Sequence, residues 1–136
     1  MNTKLKGDLG ELKVASDLVS QGYTISIPFG DNSAYDLILD KNNSLYRVQI
    51  KYVESNLDFL KVRLSSVTKQ TARKLIHKPL SKDKVDLLAV YDRTDDICYY
   101  IPLSVCEGKQ QLTLRKTSPK NNQKSKIFWA KDYLRV

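Results

Sequence analysis

The stretch RVQIKYVES, residues 47–55, alternates apolar and polar residues as a β-strand does. It follows the run YDLILD at 35–40 and the turn-forming residues KNNS at 41–44, so the two runs predict a β-hairpin. Gln49 and Lys51 are two residues apart and therefore project from one face of the second strand. An amide and an ammonium group fit poorly in an apolar core, so this pair indicates a functional site.

The hairpin brings Asp36, at the start of the first strand, opposite either Val48 or Gln49; the sequence leaves the register open by one residue. A hard cation such as Mg²⁺ takes oxygen ligands, and Asp36, Gln49 and the backbone carbonyl of Ile50 offer three. Lys51 is suited to hold a phosphate, orient an attacking water or help take its proton. This patch suits phosphodiester hydrolysis. A structural ion pair between Asp36 and Lys51 is the alternative interpretation.

The N-terminal residues predict a helix that is capped by Asn2 or Thr3 and ends near Gly22. One apolar stripe runs along it at spacings of three and four, formed by Leu5, Leu9, Leu12, Ala15 and Val19. Glu11 lies on the same helix and would bring a second carboxylate to the patch. Gly7 and Gly10 lie inside the helix at a cost of about 1 kcal/mol each, as expected where a backbone or ligand comes close.

The rest of the chain predicts more strands and one more helix. FLKVRLSS at 59–66 continues as an extended segment, and SVTKQTARKLIHKPL at 66–80 predicts a helix that Pro79 ends. VDLLAVYD and CYYIPLS predict a strand pair around the turn RTDD. This order of elements predicts an α/β (α+β) fold in one domain, residues 1–136, with a central mixed β-sheet flanked by helices.

Charge is uneven along the 136 residues, which carry a net charge of +8. Residues 1–60 hold 6 Lys/Arg against 8 Asp/Glu, whereas residues 61–136 hold 17 against 7. A basic half beside a mildly acidic half suggests a polyanion-binding surface next to a carboxylate cluster. The chain has no long apolar run and no apolar leader at its start, so we expect a cytoplasmic protein without membrane contact. The spacing of the two cysteines matches no zinc site.

Several basic residues are candidates for contacts with DNA phosphates or bases. LKVRL at 60–64 offers two cations on one strand face, so we favour it as a base-reading element. The predicted DNA-binding residues are Lys61, Arg63, Lys69, Arg73, Lys74, Lys116, Lys120 and Lys124.

These motifs together resemble the PD-(D/E)XK nuclease superfamily, which has the restriction-endonuclease fold. The resemblance rests on GDLGE at 7–11, an aspartate opening an apolar strand at 36, and QIK at 49–51. Within the superfamily, the chain is most similar to the bacterial group I intron-encoded homing endonucleases; VDLLAVYD, YYIPL and FWAKDY add to that likeness.

The resemblance implies a role for each residue of the patch. Glu11 would be the helix acid, Asp36 the metal-binding aspartate, Gln49 the second metal-ligand position and Lys51 the catalytic lysine. The cofactor would be Mg²⁺, with Mn²⁺ as a substitute. Two departures stand out, because Tyr35 replaces the usual proline before the aspartate, and Gln49 replaces the usual acid.

From this we expect a metal-dependent endonuclease that cuts double-stranded DNA at a specific, long, near-palindromic site. One active site cuts one strand, so a double-strand break predicts at least a homodimer, and a tetramer would extend the DNA platform. Two alternatives stay open. One is a Holliday-junction resolvase or repair nuclease of the same fold, and the other is a catalytically inactive DNA-binding module.

Overall fold

The computed structural model describes residues 1–30, 32–71, 74–78, 80–121 and 125–136, and for 66–71 and 74–78 it describes the backbone alone. The elements in chain order are α1 Thr3–Ser20, β1 Thr24–Ser26, β2 Leu37–Lys41, β3 Ser44–Val53, β4 Phe59–Arg63, β5 Ser66–Thr71, β6 Lys74–Lys78, β7 Leu87–Asp92, β8 Ile97–Pro102, α2 Leu103–Cys106, β9 Gln111–Arg115, β10 Phe128–Trp129 and a 3₁₀ turn Ala130–Tyr133.

The main sheet has five strands in the order β1-β2-β3-β7-β8. β3 and β7 are parallel and the other pairs are antiparallel, so the mixed sheet predicted from the sequence is confirmed. Asn42 and Asn43 form the β2–β3 turn with φ of 52° and 66°, as a two-residue hairpin requires. This turn sets Leu37 opposite Val48, which places the preceding Asp36 beside Gln49 and settles the register.

Helix α1 covers one face of this sheet. Asn2 caps it by accepting a hydrogen bond from the backbone N–H of Leu5 at 2.9 Å. The buried face consists of Gly10, Val14 and Leu18, four residues apart, and it packs on β3 and β7. At Gly10 an added Cβ would lie 3.6 Å from Tyr52 Cβ, so the glycine lets the helix approach the strand closely.

The predicted apolar stripe of α1 is buried only in part, because of its five residues only Leu9 and Ala15 pack against the core. Leu5, Leu12 and Val19 are exposed, while the sheet-facing side includes two lysines. The ammonium of Lys6 lies 5.6 Å from the centre of the Tyr52 ring, and that of Lys13 lies 5.7 Å from a second tyrosine ring. Lysine stems are apolar and cover sheet surface, which a count of apolar residues misses.

The second face of the main sheet is covered by a three-stranded sheet in the order β10-β9-β4. Their shared core includes Leu60 and Leu114 from the small sheet and Leu88 and Ile101 from the main sheet. A small sheet therefore takes the place of a second flanking helix. The described part of the chain contains no helix with both the length and the apolar character that a membrane span requires.

The helix predicted over 66–80 is wrong. Strands β5 and β6 form a separate antiparallel ribbon there, with a register shift between Lys69 and Thr71. The β-branched Val67, Thr68 and Ile76 favour extended backbone, and this preference prevails over the helical spacing of the apolar residues.

Candidate active site

Asp36 lies where the β2–β3 ladder opens. Its backbone N–H donates to the carbonyl of Val48 at 2.8 Å, and its Oδ2 accepts a hydrogen bond from the N–H of Ile50 at 2.7 Å. The side chain thus takes the place of a backbone acceptor at the point where strand pairing ends. Because ladder hydrogen bonds run in the plane of a sheet, the carboxylate lies at the rim of the main sheet, where the β2–β3 pairing ends.

Glu11 reaches Asp36 from the side of α1. The helix approaches β3 through Gly10, and the next residue, Glu11, extends toward the rim. Desolvation by the surrounding protein raises the pKa of Glu11, and the charge of Asp36 and a hydrogen bond with it raise this pKa further. The charge of Asp8 acts in the same direction, and that of Lys4 opposes it. Two carboxyl groups so close together hold a proton or a cation between them.

Gln49 contributes a third oxygen. Its Nε2 donates to the carbonyl of Ala34 at 3.3 Å, which turns the amide toward the chain that leads into Asp36. Its Oε1 is buried and has no hydrogen-bond partner among the described residues. An unpaired buried acceptor destabilises a protein by roughly 1–3 kcal/mol, so the orphaned oxygen points to a ligand.

Lys51 lies on the same face of β3 as Gln49 and is half-buried. Burial lowers the pKa of Lys51, the charge of Asp36 raises it, and the charge of Arg63 lowers it. The ammonium group is therefore close to both the rim carboxylate and a cation on β4. A lysine with a lowered pKa releases and regains its proton more readily.

These oxygen atoms are of the type that a hard divalent cation binds. No group of three His, Cys, Asp or Glu side chains able to hold a metal occurs among the described residues. The donors at the rim are the two carboxylates of Glu11 and Asp36 and the orphaned Oε1 of Gln49. Mg²⁺ commonly takes only one or two carboxylates and fills the rest with water and phosphate. Ile50 lies between Gln49 and Lys51, and its carbonyl stays a predicted ligand.

A basic aromatic surface lies on the outer face of the small sheet. On β4, Phe59, Lys61 and Arg63 alternate with buried residues and pair with Arg115, Thr113 and Gln111 of β9. The Lys61 ammonium and the Arg115 guanidinium each lie 5.4 Å from the centre of the Phe59 ring. The sequence prediction named the two β4 cations and missed the aromatic residue, although the alternation in FLKVR marks all three.

Lys116 differs from the other predicted DNA-binding residues. Its ammonium binds Asp95 Oδ2 at 2.7 Å and Ser55 Oγ at 2.9 Å, and the side chain is largely buried. Ser55 in turn donates to the buried carboxylate of Asp92. Lys116 therefore holds two strand ends together, and we leave it out of the DNA-contact set.

The structure describes the other predicted DNA-binding residues to different extents. Lys120 lines a cleft together with Phe59 and Arg115 and so extends the basic aromatic surface. Lys69 and Lys74 lie on β5 and β6, where only the backbone is described. Arg73 and Lys124 fall outside the described residues.

A family model described as PD-(D/E)XK endonuclease matches residues 1–136. No curated protein sequence matches the chain.

Two solved structures resemble the fold. One is the bacterial homing endonuclease I-Ssp6803I, with a TM-score of 0.78 and 21% sequence identity over 98% of this chain and 88% of that one. The other is Hjc, a Holliday junction resolvase from Archaeoglobus fulgidus, with a TM-score of 0.51 and 10% identity over 82% of this chain and 84% of that one. At these identities the likeness establishes the fold alone.

Proposed function

Because the chain belongs to the PD-(D/E)XK endonuclease family, we propose that it is a Mg²⁺-dependent endonuclease that cuts double-stranded DNA at a specific, long, near-palindromic site. The observation that supports this proposal is the position of Asp36, which lies beside Gln49 at the end of the β2–β3 pairing and whose charge acts on both Glu11 and Lys51. The proposal places cleavage and DNA binding in one domain, residues 1–136.

Mg²⁺, or Mn²⁺ in its place, would be held by Asp36, Glu11, the amide oxygen of Gln49 and the carbonyl of Ile50. The cation would supply positive charge that offsets the two carboxylates and the charge developing on a scissile phosphate. Glutamine removes one negative charge relative to the usual acid of the family, so Asp36 and Glu11 contribute the larger share of the binding.

Lys51 acts on the substrate directly. Its Nζ donates a hydrogen bond to a non-bridging oxygen of the scissile phosphate, and the low-polarity surroundings strengthen that contact. Burial lowers the pKa of Lys51, which makes it easier for the side chain to give up its proton and then take one from the attacking water. Arg63, whose charge reaches Lys51, binds the neighbouring phosphate.

Beyond the candidate active site, DNA would contact the outer face of β4 and β9. Lys61, Arg63 and Arg115 face outward from two paired strands. A two-stranded ribbon fits the major groove, where arginine and lysine read guanine and phosphates alike. The ring of Phe59 holds two of the cations in place by cation–π contact. Lys120 extends the surface toward the flanking DNA.

The number of copies needed follows from the number of DNA strands that must be cut. A single site cleaves one strand, so two copies related by a two-fold axis would cut both strands of a near-palindromic target. We therefore infer at least a homodimer, and a tetramer would lengthen the DNA platform.

The decisive experiment is cleavage of a randomised duplex DNA library in Mg²⁺, followed by sequencing of the cut ends. We expect recurrent cuts in a near-palindromic sequence, dependence on Mg²⁺ or Mn²⁺, and no cleavage by Lys51→Ala, which retains DNA affinity. If wild-type protein binds the library yet never cuts it in either metal, the chain is a DNA-binding module instead.

A second candidate is a resolvase, which the shared fold with an archaeal Holliday junction resolvase supports. Four-way junctions with unrelated arm sequences separate the two functions. Cutting of these junctions at a position fixed by their shape, with no recurrent site in linear DNA, would favour the resolvase.

A further inference from the structure

A cleft of about 450 Å³ opens beside the basic aromatic surface, which places it in the size range of small-molecule sites. Its walls come from the start of β4, the end of β9 and the loop that follows β9. We name it the Phe59 cleft, and the residues that matter in it are Asp58, Phe59, Arg115, Pro119 and Lys120. A carboxylate, a guanidinium and apolar ring surface therefore line one space.

Hydrogen bonds hold the walls of the Phe59 cleft in place. The backbone carbonyl of Asp58 accepts from the N–H of Lys116 at 2.7 Å, and its Oδ1 accepts from the hydroxyl of Thr117 at 2.8 Å. Arg115 donates through Nε to the carbonyl of Thr117 at 3.1 Å, and its guanidinium lies 5.4 Å from the centre of the Phe59 ring. Both charged side chains are thus anchored before any ligand arrives, which lowers the cost of binding one.

The remaining polar atoms of these two side chains are available to a ligand. Among the described residues, Oδ2 of Asp58 accepts no hydrogen bond, and the two Nη atoms of Arg115 donate none. Within that part of the chain, no ion pair joins the carboxylate to the guanidinium, although both line the same cleft. The cleft therefore offers an acceptor and a forked donor to a ligand that carries both kinds of group.

Guanine carries this combination of groups. Its N1–H and N2–H₂ are neighbouring donors that suit a carboxylate, and its O6 and N7 are neighbouring acceptors that suit the fork of an arginine. Adenine, cytosine and thymine do not offer both pairs. In a Watson–Crick base pair the N1–H and N2–H₂ of guanine already bind cytosine, so only an unpaired guanine presents both edges.

We propose that the Phe59 cleft binds an unpaired guanine of bound DNA, with Asp58 on its N1–H and N2–H₂ and Arg115 on its O6 and N7. This rests on the proposed function and deepens it, because it names a base that the DNA-binding surface holds outside the duplex. Phe59 and Pro119 supply apolar surface for the base, as aromatic rings do in sites for single-stranded DNA. Lys120 neutralises the adjoining phosphate.

A phosphate group alone is the rival occupant of the Phe59 cleft. It would take the guanidinium of Arg115 and the ammonium of Lys120. The carboxylate of Asp58 in the same cleft repels an anion, however, so the charges favour a ligand that presents donors to Asp58.

Binding of short single-stranded oligonucleotides in EDTA tests the cleft without any cleavage step. Each oligonucleotide has guanine, hypoxanthine or adenine at the centre of a thymine pentanucleotide, and fluorescence anisotropy measures its affinity. We expect wild-type protein to bind the guanine oligonucleotide about tenfold or more tightly than the adenine one. Hypoxanthine lacks only the N2 amino group of guanine, so its affinity lies between the two.

Two substitutions in the cleft should remove this preference. Asp58→Asn keeps an acceptor for the Thr117 hydroxyl and removes the charge, so guanine and adenine bind about equally. Arg115→Lys keeps the charge and removes the fork, so total affinity changes little while the preference for guanine is lost. Asp40→Asn is the matched control, because it removes the same charge from an exposed residue of β2 and keeps the preference. Thermal melts of all three variants confirm that they fold.

Equal affinity of wild-type protein for the guanine and adenine oligonucleotides would overturn the proposal and leave only a phosphate contact in the cleft. A guanine preference that survives both Asp58→Asn and Arg115→Lys would also overturn it. Nuclease activity is a separate readout. A protein that prefers guanine in EDTA yet never cuts DNA supports this proposal and contradicts the proposed function, whereas cleavage without a guanine preference does the reverse.

Discussion

The Oδ2 atom of Asp36 accepts a hydrogen bond from the backbone N–H of Ile50 at 2.7 Å, and this bond fixes the acid at the open end of the hairpin. The same side chain thus serves two purposes. It satisfies a strand donor that β2 no longer reaches, and it offers a carboxylate to Glu11 on one side and Lys51 on the other.

Substitutions at Asp36 separate these two purposes. Asp36→Asn keeps an acceptor for the Ile50 N–H and removes the charge, so we expect near wild-type stability and cleavage at least about 100-fold slower. Asp36→Ala also leaves that N–H unpaired and lowers the free energy of unfolding by about 1–3 kcal/mol. Urea denaturation and cleavage of the same preparations measure both effects. Equal loss of stability in the two variants would contradict the structural role.

Glu11→Gln should stabilise the metal-free protein at neutral pH. Desolvation and the charge of Asp36 raise the pKa of Glu11 above its ordinary 4.5, so the folded protein holds this proton more tightly than the unfolded chain. The stabilisation from the bound proton is complete below about pH 4.5 and is lost as pH rises through the folded-state pKa. The variant avoids that loss, so its Tm exceeds that of wild type at pH 7.

At pH 4 the two melting temperatures converge, because both side chains are then neutral. At pH 7, Mg²⁺ raises the Tm of wild type more than that of the variant, so the difference between the two Tm values becomes smaller. A wild-type protein that melts above Glu11→Gln in metal-free buffer at pH 7 would refute the close pairing of the two acids.

Local sequence predicted the parts of the site that lie close together in the chain. Turn residues at 42 and 43 and the period of two in β3 narrowed the partner of Asp36 to Val48 or Gln49, and the structure selects Gln49. Glu11 is more distant in sequence. It comes near Asp36 because α1 packs closely on β3 where Gly10 meets Tyr52, and local sequence does not show how a helix packs on a strand.

The errors came from interactions between distant segments. The buried side of α1 was predicted only in part, because Lys6 covers Tyr52 with its stem while Leu12 faces solvent. Lys116 is a separate case, because its DNA contact stays a prediction while no local pattern marks its ion pair with Asp95, 21 residues away. Strands β5 and β6 pair only with each other, and the local spacing of apolar residues gave no sign of this pairing.

Gln49→Glu should strengthen metal binding. A carboxylate in place of the orphaned Oε1 gives the cation a third charged ligand, and we expect the dissociation constant for Mn²⁺ to fall by about tenfold or more. Without metal, three adjacent carboxylates repel, so the Tm of the variant falls below that of wild type. Isothermal titration calorimetry and thermal melts measure the two effects. Gln49→Met, which removes the oxygen at similar volume, is the control and should bind Mn²⁺ more weakly than wild type.

The two kinds of lysine near the small sheet should respond differently to substitution. Lys61 faces outward on β4, so Lys61→Ala weakens DNA binding and reduces the slope of log affinity against log salt by about 1. Arg115→Ala acts in the same way.

Lys116→Ala instead breaks the contacts with Asp95 and Ser55, so it lowers the Tm and leaves the salt slope unchanged. Fluorescence anisotropy titrations at several salt concentrations, paired with thermal melts, distinguish the two. A reduced slope for Lys116→Ala would return that residue to the DNA-contact set, and an unchanged slope for both Lys61→Ala and Arg115→Ala would remove the outer face of β4 and β9 from it.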